Sequence, residues 1–135
     1  MKKLDILKKL RSSGLRPTKQ RVEIARFLFE RDKTFHFTVE SLDKVLAKKT
    51  TSKFALATIY NTVHAFKKAG HLSEVEVRGK KTYFDTNITN HHHFYDSETC
   101  ELIDIDANEV VIQKIPKAPN GKKIKNVEVF INLKN

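Results

Sequence analysis

Four stretches of helical periodicity, then one of strict apolar–polar alternation about a glycine, predict an α+β chain. The charge changes sign between the helical part and the remainder of the chain. Lys and Arg number 20 against 8 acidic residues in 1–83, and 6 against 8 in 84–135, within an overall net charge of +10. The chain is therefore divided near Phe84 into segments 1–83 and 84–135. Its 135 residues suit one ordinary domain or two small ones, and 39% hydrophobic content supports a modest core. A basic segment of this kind attracts polyanions by neutralising phosphates and releasing counterions. A lysine-rich solvated surface would give the same count.

Leu4, Leu7 and Leu10 recur at helical spacing, and Gly14 is placed to stop that helix. Thr18 starts the second, because its hydroxyl can accept from a free backbone N–H, with Val22, Ala25 and Leu28–Phe29 as the buried stripe. A third comes after Thr38, with Val39, Leu42, Val45 and Leu46 inward. The fourth covers roughly 57–69 and ends at Gly70. Its Ile59, Val63 and Phe66 share an inward face, opposite Thr58, Asn61, Thr62 and Ala65, with Tyr60 on the border. The alternating "HLSEVEVRGKKTYFDT" then reads as a β-hairpin with a basic tip at Arg78-Gly79-Lys80.

Several helices ending in such a hairpin describe a winged helix-turn-helix. A short polar face at the start of the fourth helix suits a DNA major groove. No acidic residue lies between Asp43 and Glu74, which keeps phosphate repulsion weak. His64 and His71 read as helix-surface residues.

The second segment opens on "NHHHFYDSETCELIDI". In an extended chain, alternation sends His91 and His93 to one face and His92 to the other. Asp85 ends the preceding strand, and Leu102 and Asp104 share a side of theirs. Two imidazoles and two carboxylates can thus converge, and His36 would add a third imidazole. Such a set has borderline-to-hard character and suits Fe(II) or Mn(II), with Zn(II) as another occupant. Cys100, the only cysteine, reads as a passive small side chain; it cannot form an internal disulfide, which fits a reducing cytoplasm.

"GLRPTKQRVEIARFL", "ALATIYNTVHAFKKAG" and "KTYFDTNITNHHHF" resemble successive motifs of the ferric uptake regulator (Fur) superfamily of metal-dependent repressors. "TYFDTN…HHHF" and the tail "IPKAPNGKKIKNVEVFINL" most resemble its iron response regulator (Irr) branch. The resemblance implies a homodimer: an N-terminal winged helix over 1–83 and a small α/β dimerisation and sensing domain over 84–135. It implies a regulatory metal site of His36, Asp85, His91, His93 and Asp104. It assigns base contact to Tyr60, beside Thr58 and Asn61 on the reading helix, and places Arg16 near an A·T-rich minor groove. Asn61 stands where many members carry arginine, and Ala55 where a capping serine is common. The Irr likeness adds haem as a ligand, held by His91, His92 or His93. It also implies no structural zinc held by four cysteines, because Asp96 and Thr99 occupy the first cysteine pair; "NVEVFINL" would then hold the sheet through Val127, Val129 and Ile131.

The expected function is a metal- or haem-responsive DNA-binding regulator of iron and haem homeostasis genes. The alternative is a peroxide-sensing Fe(II)/Mn(II) repressor. A metal hydrolase is disfavoured, because five ligands leave no open position and the chain has only four glycines. No apolar run approaches the roughly 18 residues of a membrane span, and Asp5 breaks any signal-peptide pattern, so a cytoplasmic protein without membrane partners is expected.

Overall fold

The computed structural model describes residues 5–77, 79 and 81–135. Leu4 of the first helical stripe, and Arg78 and Lys80 of the hairpin tip, lie outside the described residues. The chain packs as two compact units, Met1–Ile88 and Thr89–Asn135. Among the described residues, no helix is long and apolar enough to cross a membrane.

Among the described residues, the first unit holds four helices and a small sheet. Helix α1 (Ile6–Ser12) is capped by Asp5, whose side chain accepts from the Lys8 amide. Gly14 comes next in the left-handed region at φ 83°, a conformation that disfavours a side chain. The inward residues of α1 are Ile6 and Leu10, while Leu7 is 39% exposed. A two-turn helix has room for one narrow stripe, and each residue turns about 100° from the last; Leu7 falls outside it.

Helix α2 (Lys19–Phe29) starts where Thr18 accepts from the Arg21 amide. It buries Ile24, Ala25 and Leu28, with Val22 only half-buried. Helix α3 (Val39–Lys49) opens on a reciprocal capping box between Thr38 and Ser41. Helix α4 (Leu56–Lys68) begins at Ala55, which makes no side-chain cap bond, and ends before Gly70 at φ 88°. Ile59, Val63 and Phe66 are fully buried, as expected, but Thr62 is buried too, at 6% exposure. Thr62 comes three positions after Ile59, as Val63 comes four after it, so both share the inward stripe.

The hairpin forms from β2 (Ser73–Glu76) and β3 (Thr82–Asp85). A two-residue strand, β1 (His36–Phe37), pairs antiparallel with the other edge of β3, in register His36↔Asp85 and Phe37↔Phe84. Residues from the four helices, β1 and β3, including Leu10, Leu28, Leu42, Ile59, Phe66 and Phe84, form one apolar core. Each large side chain so buried contributes roughly 1.5–3 kcal/mol.

The second unit is a three-stranded sheet: β4 (His91–Asp96) between β5 (Glu101–Asp106) and β6 (Phe130–Leu133). Strands β4 and β5 are antiparallel, with His93 opposite Asp104. Their turn is closed by Asp96, whose Oδ1 accepts from the amides of Glu98 and Thr99. Strand β6 runs parallel to β4, which demands a long connection. A 3-10 turn (Ala107–Glu109) begins it; the remainder, up to Val129, carries no helix or strand. The expected inward face of Val127, Val129 and Ile131 is corrected: Val127 is 39% and Ile131 41% exposed, with Val129 half-buried. Strand β6 begins only at Phe130, beyond Val127, and it is Phe130 that stacks on a β4 side chain, the His93 ring.

Candidate metal centre and nucleic-acid face

In the first unit, β1 buries Phe37 in the core and sets His36 beside Asp85. The Phe35 amide donates to Thr86 Oγ1 at 2.9 Å and the Thr86 amide to the Phe35 carbonyl at 3.1 Å, locking the register beside His36↔Asp85. His36 Nε2 then stands 3.0 Å from Asp85 Oδ2. Asp85 is fully buried, which is costly for a carboxylate unless both oxygens are engaged. Its Oδ1 accepts from the Asn87 amide at 2.8 Å, leaving Oδ2 for the imidazole.

In the second unit, alternation along β4 puts His91 and His93 on one face, as expected, and register with β5 brings Asp104 against both. Asp104 Oδ1 lies 3.1 Å from His91 Nε2 and 3.2 Å from His93 Nε2. The two rings meet edge-on at 4.6 Å between centroids, and His93 is stacked on Phe130 at 5.7 Å. These three residues offer ligand atoms within 4.8 Å of one another.

The chemistry of this trio is informative. His91 Nδ1 lies 2.6 Å from the Thr89 carbonyl oxygen. A carbonyl only accepts, so Nδ1 carries the hydrogen and Nε2 of the neutral ring carries a lone pair. That lone pair faces a carboxylate oxygen. A positive charge must stand between two such acceptors, either a proton or a metal ion held by both. Ligand atoms sharing a divalent ion at about 2.1 Å stand roughly 3.0–3.4 Å apart, which the 3.1 and 3.2 Å separations match. The residues present fit a metal ion.

His92, on the opposite face, is buried at 7% exposure, and its Nδ1 accepts from the Val129 amide at 2.9 Å. The adjacent His93 amide donates to the Val129 carbonyl at 3.1 Å. His92 therefore fastens the root of β6 to β4.

On α4, Tyr60 is 53% exposed and Asn61 exposed beside it, while Thr58 is half-buried. Arg16 is exposed in the turn before α2, its carbonyl accepting from the Thr18 amide and from the Arg21 guanidinium. The acid-free span between Asp43 and Glu74 does not make this surface free of carboxylates. Glu40 and Glu74 line a hollow with Tyr60, His64 and Lys81, because α3 and β2 pack beside α4.

Two histidines have roles that their sequence context did not suggest. His64 is half-buried, its ring 4.2 Å from that of Tyr60 and edge-on to Phe84 at 5.6 Å. The signal was present in the i, i+4 spacing of Tyr60 and His64. His71 Nε2 lies 2.8 Å from Ser13 Oγ, joining the end of α4 to the end of α1. Burial first, and the Lys9 ammonium second, push its pKa below the usual imidazole value.

Comparison with known proteins agrees with this architecture. A profile of the "Ferric uptake regulator family" matches residues 12–133. The chain is 32% identical over 95 residues to the peroxide-responsive repressor PerR of Staphylococcus epidermidis, covering 70% of this chain and 61% of that protein. It is 33% identical over 98 residues to the ferric uptake regulation protein of Rhizobium leguminosarum bv. viciae, covering 72% and 67%. These alignments thus span about two thirds of the relatives' lengths. The fold resembles that of the ferric uptake regulator from Pseudomonas aeruginosa with manganese, at TM-score 0.70, 23% identity and 98% coverage of each chain.

Proposed function

Because this chain belongs to the ferric uptake regulator family, we propose that it is a metal-responsive transcriptional regulator that binds double-stranded DNA as a homodimer in the cytoplasm. The observation that carries the reading is Asp104 Oδ1 set 3.1 and 3.2 Å from two imidazole nitrogens, one of them on a ring whose other nitrogen is held by the Thr89 carbonyl. In this reading His91, His93 and Asp104 from one unit, and His36 and Asp85 from the other, ligate a single Fe(II) or Mn(II) ion, with Zn(II) as a competing occupant. When bound, the ion supplies a divalent charge that neutralises the carboxylates. The protein's own residues do the rest. Ligands drawn from both units make the placing of the reading helix depend on occupancy, so loading shifts the population competent for DNA.

Tyr60, Asn61 and Thr58 read base edges, and Arg16 serves an adjacent minor groove. Tyr60 presents an apolar ring suited to a thymine methyl. Homodimerisation through the second unit is supported by its exposed apolar side chains, among them Ile103, Val111, Ile115 and Ile124, which a second copy would cover. The tail and histidine triplet favour the Irr branch, hence iron and haem homeostasis genes as targets, with haem on the triplet as a further signal.

A second reading, peroxide sensing through Fe(II), is favoured by the likeness to the staphylococcal repressor. Oxygen incorporation into His36 or His91 after peroxide would support it, and intact histidines after full loss of DNA binding would exclude it. The main test selects a duplex from a random pool with Mn(II)-loaded protein, then titrates Fe(II), Mn(II) and haem while following affinity. A response to none of them, or turnover of an ester or phosphate, refutes the reading.

A further inference from the structure

We propose that His64 is a positioning residue: it holds the Tyr60 ring in the orientation that reads DNA and is itself held by Phe84. The inference rests on the assignment of base contact to Tyr60. An exposed tyrosine on a helix has two accessible χ1 wells, and a base contact uses one of them. Side chains on a helix lean towards its N-terminus, so the ring of residue 64 falls back over that of residue 60. Here the two centroids are 4.2 Å apart with planes at 45°. On its other side His64 meets the Phe84 ring at 5.6 Å and 84°, edge to face.

Phe84 is an unyielding abutment. It is 2% exposed and stacks on Phe37 at 5.8 Å, and Phe37 stacks on Phe35 at 5.6 Å. Phe37 and Phe84 are register partners, one residue along from His36 and Asp85. The strand pairing that joins His36 to Asp85 therefore also fixes where His64 can lie. A solvent-facing histidine there would serve only as a phosphate neighbour; this one is packed between two aromatic rings in a half-buried position.

The test is a double-mutant cycle on the full chain loaded with Mn(II), using the selected duplex and a random duplex of equal length. An aromatic pair is worth enough that His64→Ala should weaken binding of the selected duplex roughly threefold to tenfold. Random-duplex affinity should hold. The loss should vanish in a Tyr60→Ala background, and His64→Phe should recover most of it. The apo-protein Tyr60 ring resonances should move in His64→Ala, which shows the contact whatever the DNA result.

Equal loss on both duplexes overturns the proposal, since a phosphate contact or damaged fold acts without sequence preference. So does an undiminished loss in the Tyr60→Ala background. If Tyr60→Ala lowers the selected-to-random ratio while His64→Ala does not, positioning fails alone. If Tyr60→Ala leaves the ratio unchanged, the base-contact assignment fails and the positioning role falls with it.

Discussion

Asp104→Asn is the most informative perturbation of the proposed metal site. The amide keeps the size and one oxygen of the carboxylate but loses its charge. That single oxygen serves two imidazole nitrogens at 3.1 and 3.2 Å. A contact to a charged group is worth about 1.5–3 kcal/mol, so removing this charge should weaken Mn(II) binding by about 3 kcal/mol, roughly one hundredfold. The assay is thermal unfolding of apo and Mn(II)-loaded protein. With the ion at about 100 times its dissociation constant, the wild type gains about 2.7 kcal/mol. At about 3 °C per kcal/mol for a chain of this size, the melting temperature rises by roughly 8 °C. The variant under the same conditions sits near its dissociation constant and gains about 0.4 kcal/mol, roughly 1 °C. The side chain is only about 20% exposed and sits against two imidazoles without the ion as well, so each protein's rise is read from its own apo melting temperature. A variant that keeps more than half of the wild-type rise would show that Asp104 holds no ion.

Three further outcomes are expected from the geometry. His92→Ala leaves the Val129 amide without its acceptor and should cost about 1–3 kcal/mol of stability, measured by urea unfolding, with Mn(II) affinity within about twofold of wild type; a larger affinity loss with stability unchanged would make His92 a ligand. Thr38→Ala removes half of the capping box at the start of α3 and should cost about 1 kcal/mol; no change in the unfolding midpoint would mean the box does not support the helix. The lowered His71 pKa makes the neutral ring the native form, so its contribution is full above the unfolded value of 6.5 and is lost as pH falls through the lower folded value. His71→Gln should therefore flatten the apo stability profile on the acid side of 6.5, and a profile parallel to wild type would contradict the assignment.

The helices were legible because their ends carry local chemistry: Thr18 and Thr38 cap, and Gly14 and Gly70 take the left-handed turn. Period-two alternation likewise separated His91 and His93 from His92. What escaped was tertiary. Thr62 and Leu7 are misplaced by counting alone, since a stripe's width depends on what packs against it. Ile24 is fully buried while Val22 is not, a rotation of α2 that only its neighbours determine. Val127 reads as strand yet precedes β6, because pairing with β4 begins at Phe130. His64 and His71 looked like surface residues because their partners, Phe84 and Ser13, are distant in the chain.

Val129 places a practical limit on the histidine triplet. Its amide hooks one imidazole and its carbonyl takes the next residue's backbone hydrogen, while Thr89 and Asp104 claim the first ring. Three consecutive histidines are thus also three fasteners of one small sheet. Erasing all of them at once would confuse a lost ligand with a sheet come undone, whereas an isosteric swap on the facing strand touches the ligand and spares the seam.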